Sequence, residues 1–183
     1  MRAVVAALAV SFGLLAAPAS AQGEQPAAEA PASAYDQLSQ VELTEAQIDN
    51  YIASIGDMQA AMGDAPADAA EPDASTMAKL EVIAKKYGFK DFNDYNTVAG
   101  NISLVLDGVD AQSKTYVGAD KLIAKSIADV KADTQMKEPD RKASLQTLQA
   151  QQKALTPIKY KGNIELVVKY YDKLAGSDQG AAK

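Results

Sequence analysis

The sequence predicts an all-α fold, a compact bundle of five or six short helices that follows a cleaved signal peptide and a disordered tether. Large apolar residues recur at spacings of three and four along most of residues 41–176, which is the periodicity of amphipathic helices. Helix-boundary signals separate these stretches, among them a Thr-Glu-Ala-Gln capping box at residues 44–47 and a Glu-Pro pair at 138–139. No run alternates at period two for long enough to predict a strand.

The first 21 residues have the order of a secretory leader. Arg2 precedes an uncharged, mostly apolar run over residues 3–17, and Ala19 and Ala21 form the small-residue pattern that signal peptidase requires. This run is shorter than the ~20 residues that cross a bilayer, which favours cleavage over anchoring. We therefore predict export to the periplasm of a Gram-negative bacterium, with the cut between Ala21 and Gln22.

Three segments of the exported chain are predicted to lack regular structure. Residues 22–40 are rich in Ala, Pro and Glu, and such a composition buries too little apolar surface to offset chain entropy, so we predict a disordered tether. Residues 63–75 are predicted to be an acidic loop, and residues 177–183 a disordered tail. The helical domain is therefore predicted to span residues 41–176.

The first two helices are predicted on either side of the acidic loop. The capping box begins the first helix, and Leu43 is placed to pack onto Ile48. The second helix is expected from Ser75 to Tyr87, where Gly88 suits the left-handed position that ends a helix and Phe89 would fold back on the preceding turn.

The third helix is predicted to follow a cap at Asp91 and to extend to Val109. Gly100 lies inside it at a cost of about 1 kcal/mol in helix propensity relative to Ala, and we expect it to let another helix approach closely. Residues 110–118 are predicted to form a loop.

Three further helices are predicted in the last third of the chain. Apolar residues of the fourth helix lie between Leu122 and Val130, and Pro139 marks the first turn of the fifth. Asn163 is expected to cap the last helix, with Tyr171 facing the core. The segments Gly-Asn-Ile-Ser-Leu-Val from Gly100 and Gly-Asn-Ile-Glu-Leu-Val from Gly162 match at five of six positions. Because their flanks differ, we interpret this match as a coincidence.

The composition removes many kinds of chemistry. The chain has no Cys, His or Trp, so disulfides, thiol nucleophiles, histidine-dependent catalysis and the usual zinc sites are excluded. A net charge of −6 disfavours nucleic acid as a partner. The acidic residues Asp64, Asp68, Glu71 and Asp73 lack the alternating spacing of a calcium loop. We predict no catalytic residue, no cofactor and no metal site.

Tyrosine is the enriched aromatic residue, with eight Tyr against three Phe. Lys169-Tyr170-Tyr171 places two tyrosines on helical directions about 100° apart, so both cannot face inward. Tyr170, together with Lys169, is the predicted partner-facing pair. Packing at the edge of the core is the alternative for these tyrosines, because an apolar ring with a polar tip suits both environments.

Three segments resemble small exported proteins of alphaproteobacteria. They are Lys-Tyr-Gly-Phe-Lys-Asp-Phe at 86–92, Gly-Asn-Ile at 100–102 and Gly-Asn-Ile-Glu-Leu-Val-Val-Lys-Tyr-Tyr-Asp-Lys-Leu at 162–174. The resemblance covers about residues 40–175 and rests on helix-boundary motifs. It implies export and an all-helical domain, and it carries over no catalytic residue.

These observations predict a non-catalytic periplasmic helical protein that binds a protein partner or a small apolar ligand. A small secreted enzyme that uses carboxylates and tyrosines is the first alternative. A periplasmic holding chaperone, which would need a large exposed apolar face, is the second. No nucleic-acid partner and no membrane span in the mature chain are expected.

We expect the exported protein to begin at Gln22 or its cyclised form. When the full sequence is expressed in a Gram-negative host, amino-terminal sequencing of the periplasmic fraction should read from that residue. The Ala21→Leu variant should accumulate as precursor, because signal peptidase requires a small residue before the cut. Full-length wild-type chain in the membrane fraction would contradict this prediction.

Overall fold

The computed structural model describes residues 35, 38–63 and 72–177, and the predicted all-α fold is confirmed. A two-stranded antiparallel hairpin in the predicted loop after the third helix pairs Val109 with Tyr116. The predicted signal peptide and most of the predicted tether, acidic loop and tail lie outside the described residues. The elements in chain order are α1 (Glu45–Met62), α2 (Ala74–Lys86), α3 (Phe92–Leu106), β1 (Val109–Asp110), β2 (Thr115–Tyr116), α4 (Ala119–Ala132), α5 (Glu138–Lys153), α6 (Gly162–Lys169) and α7 (Tyr171–Ser177).

The core lies between α1, α2, α3 and the α6–α7 pair. Helix α1 packs against α2, α3 and α7, and α3 packs against α6. These helices bury one apolar face each, as the spacing of their large residues predicts. The buried core consists of Leu43, Ile48, Met58, Leu80, Ala84, Phe89, Tyr95, Val98, Ile102, Val105, Val167, Tyr170 and Leu174.

The boundary between α2 and α3 forms as the sequence predicts. Gly88 adopts φ +84°, the left-handed conformation, and Phe89 folds back so that its amide donates to the Ala84 carbonyl at 3.0 Å. Phe89 is buried there against Tyr95 in an edge-to-face contact. The side chain of Asp91 accepts from the Asp94 amide and caps α3.

Helices α4 and α5 form an antiparallel hairpin whose residues are at most half-buried. They pack mainly against each other rather than against the core. The guanidinium of Arg141 fixes the turn between them by donating to the Asp133 and Met136 carbonyls at 2.8 and 2.9 Å. The hairpin therefore projects from the helical body. Its two helices pack against each other through a small set of apolar side chains.

The segment Leu38–Leu43, called the arm below, is the main departure from the predicted architecture. Its first three residues were expected in the disordered tether, but they lie against the helical body. The Gln40 side chain donates to the Pro157 carbonyl at 2.9 Å and accepts from the Lys159 amide at 2.8 Å. Residues 38–40 therefore do not belong to a disordered tether.

Two asparagines hold the backbone of the arm. The Asn101 carboxamide accepts from the Val41 amide at 3.1 Å and donates to the Ser39 carbonyl at 3.0 Å. The Asn163 carboxamide accepts from the Leu43 amide and donates to the Val41 carbonyl, both at 2.8 Å. In an extended chain the backbone groups of alternate residues point to one side. The two side chains therefore take the place of a neighbouring strand.

This arrangement corrects two interpretations of the sequence. Asn163 is not a cap, because α6 begins at Gly162 and its carboxamide bonds to the arm instead. Gly100 admits the arm rather than a helix, since a Cβ there would lie 2.7 Å from Leu38 Cδ1. In the two matching Gly-Asn-Ile segments the asparagines make the same kind of paired bonds, but the glycines differ, since a Cβ at Gly162 would meet nothing within 4 Å.

Two helix boundaries also differ from those predicted. Helix α3 ends at Leu106, and Val109 belongs to the hairpin, where the Asp110 side chain accepts from the Ser113 amide at 2.8 Å and turns the chain. The predicted last helix divides at Tyr170, whose φ of −96° and ψ of 5° interrupt it. None of the helices described is long and apolar enough to cross a membrane.

We expect Asn163→Ala to lower the free energy of unfolding by about 2–4 kcal/mol. The substitution leaves a donor and an acceptor of the arm without partners in a site that is 3% exposed, and each such group costs about 1–3 kcal/mol. Urea denaturation measures the change. Asn96→Ala, on the exposed side of α3, should shift stability by no more than about 0.5 kcal/mol. Equal effects of the two variants would contradict the role assigned to Asn163.

Candidate functional site

A groove of about 830 Å³ lies where the α4–α5 hairpin meets the end of α3, strand β2 and the segment before α6. This volume falls in the range of sites that hold small molecules. The residues that line it are Tyr35, Leu104, Asp107, Tyr116, Ala119, Ile123, Ala143, Gln146, Thr147, Ala150, Gln151, Ala154, Leu155, Thr156 and Ile158.

The groove exists because α5 presents small side chains to it. Ala143, Thr147 and Ala150 follow one another at spacings of four and three, so they share one face of α5, and Ala154 follows directly after its end. A face of this kind cannot fill the space between the hairpin and the core. The opposite wall carries larger apolar groups from other elements, namely Leu104, Tyr116 and Ile158. An apolar cleft therefore stays open between the two.

A carboxylate and a phenol lie together in the lining of the groove. The Tyr35 hydroxyl donates to Asp107 Oδ2 at 2.8 Å. Burial and this hydrogen bond to a carboxylate both raise the pKa of Tyr35, so the phenol stays protonated and keeps donating. Asp107 is the one charged side chain among the lining residues that the structure describes.

The remaining polar groups of the groove are amides and hydroxyls. Gln146, Thr147, Gln151 and Thr156 supply them. The Thr147 hydroxyl already donates to the Ala143 carbonyl at 3.1 Å, and Thr156 also has a partner within the fold. The two glutamine amides can orient a ligand by hydrogen bonds while the apolar walls cover its body. The arrangement fits recognition of a small molecule with an apolar body and a polar end.

The acidic residues set aside in the sequence lie elsewhere. Asp73 accepts from the Ser75 and Thr76 amides at 2.8 and 2.9 Å and so caps α2, which lowers the pKa of its carboxyl. The other three acids of that segment fall outside the described residues. Within the described ranges, no three acidic side chains come together as a metal-ligand group.

The predicted partner-facing pair is placed differently from the expectation. Tyr170 is 8% exposed, and its hydroxyl donates to Asp49 Oδ2 at 3.2 Å. Lys169 is exposed, but its ammonium pairs with Glu45 Oε1 at 2.6 Å. The prediction was wrong for Tyr170 because this residue shares the buried face with Val167 and Leu174, at helical spacings of three and four. Tyr171, which was expected inward, is only half-buried.

These groups fasten the start of α1 to the end of α6. Hydrogen bonding and attraction from Lys169 hold the pKa of the Glu45 carboxyl below its ordinary value of 4.5. The same pairing raises the pKa of Lys169, and burial raises that of Tyr170. The ammonium groups of Lys169 and Lys173 lie 5.5 and 5.0 Å from the centre of the Tyr170 ring. The cluster stabilises the fold rather than forming an open site.

Sequence reasoning identified none of the groove residues as a site. One signal was present, namely Ala143 and Ala150 on one face of α5 and Ala154 directly after its end. A helix face of small residues indicates either that a neighbouring element packs closely against it or that a groove lies beside it. Only the position of the α4–α5 hairpin in the folded protein distinguishes these two possibilities. Tyr35 was missed because it lies in the segment predicted as tether.

Comparisons with known proteins add no relative. A scan against protein-family models, a search of curated proteins and a search of solved structures found no match to the chain. The resemblance of three short segments to small exported alphaproteobacterial proteins therefore stays a prediction.

We expect the ion pair between Glu45 and Lys169 to make stability depend on pH. Because the pKa of Glu45 is lower in the folded chain than in the unfolded chain, its contribution is present above pH 4.5 and is lost as the pH falls through the folded value. Melting temperatures of wild type and Glu45→Gln should differ at neutral pH, and the difference should disappear as the pH falls below the folded-state pKa of Glu45. Glu165→Gln, at an exposed position of α6, should follow wild type throughout the pH range. A constant gap between wild type and Glu45→Gln would contradict the prediction.

Proposed function

We propose that the protein is a non-catalytic, exported helical protein that binds a small apolar molecule in the groove beside the α4–α5 hairpin. The groove itself is the observation that supports this proposal, since its volume is about 830 Å³ and its walls are mostly apolar. A cleft with apolar walls and a few converging polar groups is the usual form of a small-molecule site.

The charged side chains that line the groove indicate which class of ligand it can bind. Asp107 would lie beside any ligand in the groove, and the described lining offers no lysine or arginine to pair with an anionic group. The exposed carboxylate of Asp107 would repel an anionic head group there, in addition to the cost of desolvating that head group. We therefore propose a neutral or positively charged ligand with an apolar body rather than a fatty acid.

Two alternatives have less support from the side chains. An enzyme of the glycosidase type would need a pair of carboxylates, and the described lining has one, that of Asp107. The Tyr35 phenol bound to it has a raised pKa and is held protonated, which disfavours it as a nucleophile. A holding chaperone needs a broad apolar surface, whereas the large apolar residues exposed in the described part of the chain are Met62, Met77 and Val82. Binding of a protein partner stays as the second form of the binding proposal.

Export to the periplasm is proposed from the leader pattern alone. The basic residue, the apolar run over residues 3–17 and the Ala19-Ser20-Ala21 pattern support it. A ligand-binding protein in that compartment would meet molecules that have crossed or left the outer membrane.

We expect a ten-carbon chain to bind in the groove according to its head group. Isothermal titration of the full mature chain with 1-decanol, decylamine and decanoate compares neutral, cationic and anionic ends on one apolar body. Decanol and decylamine should bind, and decanoate should bind at least about tenfold more weakly, a difference of about 1.4 kcal/mol. Asp107→Asn should reduce the difference between decylamine and decanoate.

A matched pair of variants locates the site. Ala150→Trp fills the groove and should abolish binding of decanol, while Gln149→Trp, at the adjacent exposed position of α5, should leave it unchanged. The chain has no Trp, so each variant also carries a fluorescence reporter for folding. Equal binding by both variants, or binding of none of the three probes to wild type, would overturn the proposal.

A further inference from the structure

The α4–α5 hairpin is held together more firmly than it is held to the helical body. Its two helices pack mainly against each other, and no residue of either helix is fully buried. At its far end, the turn of residues 133–137, Arg141 donates to the Asp133 and Met136 carbonyls and fixes the chain reversal. We call this turn the tip. The hairpin therefore has a fixed internal shape, while little buried apolar surface joins it to the body.

The chain is fastened to the body immediately before the hairpin. The Gly108 carbonyl accepts from the amides of Val117 and Gly118 at 2.9 and 3.0 Å. The Gly118 carbonyl in turn accepts from the Lys121 and Leu122 amides at 3.1 and 3.2 Å, so it already belongs to the first turn of α4. The two backbone torsions of Gly118 therefore lie between a group that is bound to the body and a group that belongs to the hairpin.

Gly118 has the backbone freedom that a hinge needs. Its φ is +100°, a conformation that residues with a side chain rarely adopt, and a Cβ there would lie 2.5 Å from Asp120 Oδ1. Without a Cβ, this residue can change φ and ψ over a wide range at little steric cost. Hinges of closing domains consist of a few residues at the ends of elements that absorb such changes.

The chain is fastened again shortly after the hairpin. Helix α5 ends at Lys153, and the Gln40 side chain binds the Pro157 carbonyl and the Lys159 amide at 2.9 and 2.8 Å. Residues 154–156 form the link between the helix and this fastened segment. Gly118 and the 154–156 link are therefore the two connections between the hairpin and the body along the chain.

The groove lies between the two parts that these connections join. Ala143 and Ala150 line it from the hairpin, and Leu104 and Ile158 line it from the body. An apolar molecule between these walls contacts both, and its contact area grows as the hairpin approaches the body. A ligand shifts a conformational equilibrium by the difference between its affinities for the two forms. An apolar ligand in this groove therefore favours the closed form.

We propose that the hairpin rotates as a unit about Gly118 and the 154–156 link, and that it closes on an apolar molecule in the groove. This inference rests on the proposed function, because the bound molecule supplies the contacts that favour closure. The rotation is largest at the tip, since α4 has 14 residues and is about 21 Å long. A rotation of about 10° would move the tip by about 4 Å and the first turn of α4 by about 1 Å.

Distances between paired spin labels test this motion. The chain has no cysteine, so two introduced thiols carry the labels. One label is attached at the tip through Gln135→Cys or at the first turn of α4 through Lys121→Cys. The other is attached to the body through Gln112→Cys or Asn96→Cys, two positions that view the hairpin from different directions. All four side chains are exposed. Double electron–electron resonance measures each pair in the mature chain with and without saturating 1-decanol.

Closure should change the distance from the tip to at least one body position by about 4 Å when decanol binds. The distances from position 121 should change by less than half as much, because this position lies next to the hinge. The distance between positions 121 and 135 should stay constant, since both belong to the hairpin. The Ala150→Trp substitution, which fills the groove, should abolish the response to decanol in the tip pairs.

Four results would overturn the inference. Binding of decanol in the titration without a change in either tip distance would show that the hairpin is fixed, and would leave the proposed function intact. Equal changes at positions 121 and 135 would place the movement elsewhere than at Gly118. A full response in the Ala150→Trp variant would assign the change to decanol outside the groove. Absence of decanol binding to wild type would overturn the proposed function together with this inference.

Discussion

The paired hydrogen bonds of Asn101 and Asn163 to the arm are the constraint on which the rest of the structure depends. An extended segment without a sheet would leave buried amides and carbonyls unpaired, and each would oppose folding by about 1–3 kcal/mol. The two carboxamides remove that penalty and, because they come from α3 and α6, they also set the distance between these helices. The arm thereby places Leu43 in the core. It also determines where α1 starts, because Leu43 is followed directly by the cap of that helix.

The other contacts of the helical body extend this arrangement. Tyr170 and Lys169 join the end of α6 to the first turns of α1, close to the point where the arm enters the core. The Gln40 side chain binds the 157–159 segment, which leads from α5 to α6. Polar side chains thus link the ends of several helices to neighbouring segments, while the helices pack against each other through apolar faces.

The α4–α5 hairpin lies outside this set of contacts, and the groove follows from that position. Its helices bury their larger residues mainly against each other, and α5 turns small residues toward the core. Tyr35, which precedes the arm, reaches Asp107 at the wall of the same groove. The arm and the groove are therefore neighbouring features of one side of the molecule, although one holds a backbone and the other is suited to a small apolar molecule.

The sequence alone determined the helices, because apolar spacing, caps at Thr44 and Asp91 and the left-handed Gly88 act over a few residues. It also excluded chemistry that needs Cys or His. The role of the two asparagines and the groove were decided by the tertiary structure. Asn163 looks like a helix cap until its partners, 120 and 122 residues away in the chain, are known. Such long-range pairings, and space left beside small residues, depend on how elements meet and leave no local pattern.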